Sequence, residues 1–363
     1  MAVEVGAPTF REQFPVLERC SYLNAGTEGP VPQAAGDAVR ARLHADLTDG
    51  RVGKAYFDHV MDLAYRARAG YAVALGADAG EVALTSSTTY GVNTVLNGLS
   101  FAPGDEIITS DQEHPGVLVP LRLARARAGV NIRIVPFAEL PGEVGPNTRL
   151  IACSHVSWVG GEVVDVAALR ATGVPVLLDA AQALGAIQVD VHELGIDFYA
   201  GSGQKWMCGP EGSGALYVRP DRLDDLEPPF PGHSTVADHE DPLGSDLAEG
   251  TQRLDDGFPS AVRSTWALAS MDVLAGAGWA WVHERGAAGA EQLADLLRSR
   301  GRDVAPRGRS TLVSWKADDP DADVERLLAQ GVIVRSIPSA RLVRASVGAW
   351  TSEEEIHRLA QLA

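Results

Sequence analysis

Lysine is nearly missing from this chain. Of 31 basic side chains in 363 residues, only Lys54, Lys205 and Lys316 are lysines, so arginine carries the positive surface charge and each lysine needs a reason of its own. Positive charge as a whole is scarce: 48 acidic residues leave a formal net charge of −17. That excludes nucleic acid and anionic membrane as partners, because phosphate-rich surfaces demand clustered cations. Three separated cysteines, Cys20, Cys153 and Cys208, with no CxxC pair, exclude a disulfide scaffold and a zinc knuckle. No apolar run approaches the roughly 18 residues that span a bilayer, and the opening MAVEVGAPTFREQFP lacks a basic stretch ahead of an apolar core, so a cytoplasmic protein is expected. The glycine-rich stretches GSGQKW and GPEGSGAL have neither GxGxxG spacing nor a GK[ST] ending, which excludes a dinucleotide fingerprint and a P-loop.

What remains is an ordinary globular composition, 45% hydrophobic and 22% charged, on a chain long enough for a large domain and a smaller one. Strand patterns at 81–85, 105–110, 132–137, 149–155, 174–179, 196–200 and 215–218 alternate with helical patterns at 33–75, 115–128 and 165–172. This rhythm predicts a mainly parallel seven-stranded α/β sheet flanked by helices. After an irregular stretch to about 258, a long helix over 260–285 and another over 287–299 lead into a tail that alternates again, a smaller α+β C-terminal domain. The expected division is an N-terminal arm (1–19), a large domain (20–258) and an interdomain helix with the small domain (259–363). His233, Asp238, His239 and Asp241 fall in the irregular stretch; they lack tight metal-ligand spacing and read as solvated loop.

Several positions could carry chemistry. Ser86-Ser87-Thr88-Thr89 stands where a strand turns into a helix, and hydroxyls there either hold a phosphate at the positive end of the helix or simply cap it. His114, in Asp111-Gln112-Glu113-His114-Pro115, follows a strand at the end where open α/β sheets bind ligands. The loop from Asn24 to Pro30 has two glycines that allow close backbone approach. Asp179 ends a buried strand beside Ala180, Ala181 and Gly185; a buried acid needs a partner, structural or chemical. Lys205 follows the next strand in Ser202-Gly203-Gln204-Lys205-Trp206.

Taken in order, TSSTT, EHPG, SHVSWVGG, DAAQALGA, SGQKWMCGPEG and VRASVG closely resemble the fold-type I pyridoxal-phosphate enzymes of the class V aminotransferase group, over about residues 20–362. That group includes cysteine desulfurases, isopenicillin-epimerase-like proteins and cystine C–S lyases. The resemblance implies that Lys205 forms the Schiff base with pyridoxal 5'-phosphate and afterwards shuttles the Cα proton. It implies that Asp179 keeps the pyridine nitrogen protonated, that Gln182 donates to the ring 3-oxygen and that His114 stacks on the ring. Ser87, Thr88, Thr89, Ser202 and Gln204 would hold the phosphate, Gln204 standing where the group often has histidine. Arg344 matches the arginine that clamps the substrate carboxylate. Arg335 is a second candidate, and Asn24 and Trp158 complete the substrate side. A homodimer with the active site at its interface is also implied.

The departures choose the reaction. Desulfurases carry a nucleophilic cysteine just before the VRAS-like strand, and here Ser336-Ile337-Pro338-Ser339-Ala340-Arg341 has none. Trp158 stands where desulfurases have asparagine, and the cystine C–S lyase subgroup shows a similar tryptophan. Many relatives offer a threonine to the partner's phosphate near 253–260, where this chain has Phe258, Pro259 and then Ser260. These features favour β-elimination on cysteine or a cysteine S-conjugate, releasing a thiol, pyruvate and ammonia. Transamination, epimerisation and decarboxylating deamination use the same residues and stay open, a desulfurase is disfavoured, and a non-enzymatic cofactor-binding protein would be expected to have lost Lys205 or Asp179.

Overall fold

The computed structural model describes residues 10–363, and the part of the expected arm before Phe10 lies outside the described residues. The strands in chain order are β1 (Ser21–Tyr22), β2 (Val82–Thr85), β3 (Glu106–Ser110), β4 (Asn131–Val135), β5 (Thr148–Ser154), β6 (Val176–Asp179), β7 (Phe198–Ser202) and β8 (Gly214–Val218), followed by β9 (Leu312–Lys316), β10 (Val332–Ile333), β11 (Arg335–Ile337) and β12 (Leu342–Ser346). Seven of them form one sheet in the order β2-β8-β7-β6-β5-β3-β4. The contacts from β4 through β7 are parallel, whereas β8 runs antiparallel to both β7 and β2. Strands β6, β7 and β8 are buried at every position, as unbroken runs such as VLLD and GALYV require when helices cover both faces. The helix Thr88–Gly98 lies so close to the sheet that a Cβ at Gly91 would sit 2.8 Å from that of Ala200.

Glycines break two expected helices. The 33–75 pattern is two helices, Gln33–Thr48 and Gly53–Leu75, parted at Gly50 with φ +79°. The 260–285 helix stops at Ala277, because Gly278 (φ +91°) turns the chain into a second helix, Trp279–Ser299. Both glycines have a backbone conformation that strains an L side chain, so the helical period continues across a break that it does not register. The fourth strand ends at Val135, since Pro136 leads into a 3-10 turn over Phe137–Glu143. The expected strand at 332–335 is two strands in two different sheets, β10 and β11, separated by Val334.

The smaller C-terminal domain is an antiparallel sheet, β11-β12-β9, whose inner face packs with Leu293, Leu297, Ile356 and Leu359 around Trp315 and Val343. Chain segments far apart meet there. Strand β1 pairs in parallel with β10, and Leu23 is wholly buried in the same apolar cluster. The Arg11 guanidinium bonds both oxygens of Glu355, at 2.6 and 3.0 Å, at the start of the last helix. Among the described residues no helix is long and apolar enough to cross a membrane, and no group of three or more His, Cys, Asp or Glu could hold a metal. Asp238 and Asp241 accept from nearby backbone N–H groups, while His233 and His239 stack on each other.

Candidate active site

Strands β3, β5, β6 and β7 end side by side in Ser110, Ser154, Asp179 and Ser202, so the chemistry-bearing residues collect at one edge. Ser202, expected in a turn, is the last residue of β7 and pairs with Gly214. Beyond it the lysine turn is held from several directions. Gly203 N–H bonds Ser213 O at 2.7 Å, Gly29 N–H bonds Gln204 O at 2.8 Å and Cys208 N–H bonds Lys205 O at 3.1 Å. Cys208 takes a left-handed φ of 54°, and its carbonyl accepts from Trp266 Nε1 (3.2 Å) and Ser270 Oγ (2.8 Å). The Lys205 amine thus projects from a rigid backbone. Its pKa is brought down to about 8, by burial first and then by the nearby Arg344 and Arg335, against opposing pulls from Asp179 and Glu28. Lys54 and Lys316 pair with Asp58 and Asp303 on the surface, which leaves Lys205 alone in a functional position.

Asp179 is only 6% exposed. Its Oδ1 accepts the Ala181 N–H at 2.8 Å, and no arginine, lysine or histidine lies in ion-pair range among the described residues. The structural salt bridge that would give a bland account of this acid is not there. Burial raises its pKa, and Lys205 and the Ala181 N–H pull the other way. Gln182 is fixed at both ends, donating to Gly26 O (2.8 Å) and accepting from Trp206 Nε1 (3.1 Å). The loop beginning at Asn24 is therefore tied to the segment just after the strand-end acid as well as to the lysine turn.

His114 caps the helix Pro115–Ala128, and its Nδ1 accepts the Gly116 N–H at 3.0 Å, which places the ring proton on Nε2. Burial, with help from Lys205, Arg335 and Arg344, lowers its pKa to about 4, so the ring is neutral near pH 7. It meets Trp158 edge to face, with centroids 5.2 Å apart. Among the hydroxyls the two sequence readings divide. Ser87 is the plain N-cap, accepting from Tyr90 N–H at 3.0 Å. Thr88 Oγ1 instead lies 2.6 Å from Ser202 Oγ at the positive end of the helix. The Thr89 hydroxyl points toward Gly116, where a Cβ would meet it at 2.5 Å. Ser260 caps its own helix, accepting from Arg263 N–H, so its oxygen is in use.

The two arginines stand directly opposite each other on β11 and β12. Arg344 is fully buried; its Nη1 donates to Trp158 O at 2.7 Å, while Nε and Nη2 have no partner. Burial, and secondarily Arg335, lowers its pKa to about 9. Arg335 lies over the Trp158 ring at 5.8 Å and donates to Thr27 Oγ1, which donates to Asn24 Oδ1. Neither arginine has a carboxylate partner among the described residues, and like charges facing each other across a ladder are unfavourable. A pair of this kind awaits an anion.

The polar atoms without partners test whether pyridoxal phosphate fits. Gln204 Oε1, Trp158 Nε1, Ser346 Oγ and two Arg344 nitrogens are buried and unpaired, each at a cost that a bound polar group removes. Asp179 lacks a cation, which a protonated ring nitrogen supplies. Lys205 is an amine of depressed pKa, suited to an aldehyde. Thr88 and Ser202 at a helix N-terminus suit a phosphate, and the Gln204 amide, whose O and N are interchangeable by a flip, can donate there. The residues fit the cofactor. Three further site residues had gone unassigned in the sequence: Glu113, Thr27 and Ser346. Only Glu113 left a trace, as an acid beside a ligand-facing histidine.

The chain belongs to the class V aminotransferase family, whose model matches residues 27–359. It is 30% identical over 383 residues to isopenicillin N epimerase of Streptomyces clavuligerus, covering 93% of this chain and 92% of that one. It is 28% identical over 398 residues to a cysteine desulfurase of Serratia proteamaculans, covering 96% and 95%. Among solved structures it superimposes with a TM-score of 0.91 on the cystine C–S lyase C-DES in complex with its product cysteine persulfide, at 29% identity over 96% and 99% of the two chains. A C-DES mutant with glycine covalently linked to its PLP cofactor gives a TM-score of 0.92 at 28% identity over 97% and 98%. The protein is a pyridoxal-phosphate enzyme of fold type I.

Proposed function

We propose that this enzyme is a C–S lyase that eliminates the β-sulfur of cysteine or a cysteine S-conjugate, releasing a thiol, pyruvate and ammonia. The observation that carries this reading is where its thiols lie. A desulfurase needs an accessible thiolate to accept sulfur. Here Cys153 is buried in β5, and Cys208 is buried against the helix Ala261–Ala277 with its pKa pushed far up by burial. Cys20, half-buried, bonds Val16 O and is also raised by burial. The turn over 338–340 that precedes β12 contains no cysteine. The likeness to C-DES supports the same choice.

When bound, pyridoxal phosphate withdraws electrons from the Cα of the amino acid that it holds. The chain's own residues supply the rest. Arg344 takes the α-carboxylate on its free Nε and Nη2, and Arg335 stands ready for a second anionic group on the sulfur side. The Lys205 amine, with its lowered pKa, accepts the Cα proton. Asp179 would face the ring nitrogen and favour its protonated form, and neutral His114 would stack on the ring without adding charge. Thr88, Ser202 and Gln204 hold the phosphate, with Ser87 and Thr89 contributing the helix N-terminus. Gln182 and Asn24 fix the loop over the lysine turn, and Trp158 walls the side-chain pocket. A homodimer belongs to the same proposal: Phe57, Met61, Tyr65 and Phe258 lie about half exposed on one side of the large domain, with Phe57 and Phe258 edge to face.

The epimerase relative favours a second reading, proton exchange at Cα without loss of sulfur. Incubation with cysteine, cystine, an S-alkyl cysteine, and alanine plus a keto acid separates the readings. Pyruvate from the sulfur substrates without added keto acid supports the lyase. Racemised substrate, carbon dioxide, or amino transfer that requires keto acid would replace it.

A further inference from the structure

Glu113 has no part in the functions described so far. It follows β3, immediately precedes His114 and is 5% exposed. Its carboxyl joins the ends of two strands: Oε1 accepts from Ser154 N–H at 3.0 Å and from the Ser110 hydroxyl, and Oε2 lies 2.6 Å from Ser154 Oγ. Ser154 is the register partner of Asp179, so two acids flank one serine. Nothing positive offsets them at Glu113. The groups facing it are Ser110 from β3, Ser154 and Cys153 from β5 and Asp179 from β6, with neutral His114 next in sequence.

A buried carboxylate without a cation, beside a second carboxylate, is costly. A protonated Glu113 removes that cost. The Ser154 hydroxyl donates to an ionised Oε2; a protonated Oε2 would donate across the same contact instead, while Oε1 keeps its two donors, and Ser110 Oγ, donating to Oε1, accepts in turn from Gln112 N–H at 3.2 Å. Burial is the main cause that lifts the pKa to about 7; the hydrogen bonds from Ser110 and Ser154 pull it down, and Asp179 adds a smaller push upward. The neighbouring side chain is tied down too. Gln112 Nε2 donates to Glu162 Oε2 at 2.6 Å, and Ser157 Oγ donates to Gln112 Oε1. The two residues ahead of His114 are thereby bound to the end of β5 and to the loop that carries Trp158.

We propose that Glu113 is a positioning residue whose carboxyl locks the His114 turn to β5 and carries a proton on the acid side of neutrality, which leaves Asp179 as the carboxylate at the strand ends facing Lys205. This assignment rests on the pyridoxal-phosphate site and is independent of which Cα bond the enzyme breaks.

The test compares wild type, Glu113→Gln and Glu113→Ala as cofactor-loaded proteins. Infrared difference spectra at about pH 6, below the value of about 7, should show the carbonyl stretch of a protonated carboxylic acid in wild type and its loss in Glu113→Gln. Glu113→Ala frees the His114 turn, and a misplacement of about 1 Å is expected to lower kcat about 10²-fold with little change in KM; Glu113→Gln, neutral and of the same shape, should restore most of it. No acid band in the difference spectrum, or a Glu113→Gln enzyme as impaired as Glu113→Ala, would mean that the negative charge is what matters and would overturn the proposal. So would unimpaired turnover in Glu113→Ala. If Glu113→Ala fails to fold, the spectrum and the Glu113→Gln kinetics still decide. Failure of the lyase reading would appear instead in the products, which this comparison does not use.

Discussion

Replacing Arg344 with methionine should give a dead enzyme that is harder to unfold. The guanidinium is wholly buried, faces Arg335 across the ladder and uses one nitrogen, on Trp158 O. Its pKa is brought to about 9 from a reference near 12.5, and at about 1.36 kcal/mol per pH unit the folded protein meets a charging penalty of about 5 kcal/mol. The sign follows from the direction. A base depressed on folding is penalised at every pH below its folded value, and the penalty fades only as pH rises through about 9. Methionine removes the penalty, fills most of the volume and forfeits one charge-assisted hydrogen bond of about 1.5–3 kcal/mol. The net expectation is a gain of about 2 kcal/mol near pH 7, or roughly 3 °C in melting temperature for a chain of this size. Activity should move the other way. Two charge-assisted bonds to the substrate carboxylate are lost, so kcat/KM falls about 10²–10⁴-fold. The assay is paired: melting of the cofactor-loaded proteins with and without propionate, and kcat/KM for pyruvate release. Propionate should stabilise the wild type and leave Arg344→Met unmoved. An Arg344→Met protein less stable than wild type in carboxylate-free buffer, or one keeping kcat/KM within about tenfold, refutes the idea of an arginine held unpaired for substrate.

Lys205 offers a pH prediction. Its neutral form, which attacks the cofactor aldehyde, grows as pH rises through about 8, so the rate at which apoprotein regains its visible absorbance should climb and then level off; a rate still climbing at about pH 10, the ordinary lysine range, contradicts the depressed value. Lys205→Ala should lose that visible band altogether, and a retained band would remove the lysine from its assigned place. At Trp158, phenylalanine keeps the edge contact with His114 and should change KM little. Alanine removes both that contact and the platform under Arg335, together about 1–3 kcal/mol, and should raise KM about tenfold or more; equal effects from the two substitutions would deny the ring any role in holding Arg335.

The mainly parallel sheet was legible because its strands are short, mostly apolar runs separated by helical periods, and the candidate cofactor residues stood out because Asp179, Gln182 and Lys205 occupy a compact block. Their spatial convergence follows from strand order, since neighbouring parallel strands deliver their last residues to one edge. Other features depend on contacts between distant segments, which periodicity does not encode. Gly50 and Gly278 interrupt helices without disturbing the apolar spacing on either side. Val332–Ile333 and Arg335–Ile337 look like one strand because nothing in the residues says that their partners, Ser21–Tyr22 and Leu342–Val343–Arg344, lie in different sheets. Glu113 was invisible as a buried acid because its donors come from Ser110 and Ser154, two strand ends brought together only by folding.

The pairing of β1 with β10 has a consequence for recombining this enzyme. Leu23 packs among residues of the small domain and its carbonyl accepts Ser346 N–H at 2.7 Å, while six residues later Gly29 meets the lysine turn. A Cβ at Gly29 would lie 2.0 Å from Lys205 O, so the approach tolerates no side chain. The module that carries Arg335 and Arg344 is therefore discontinuous in the coding order. A chimaera that exchanges only the C-terminal third would set a foreign small domain on a native 20–29 segment. An exchange of substrate preference has to move two stretches of the chain together.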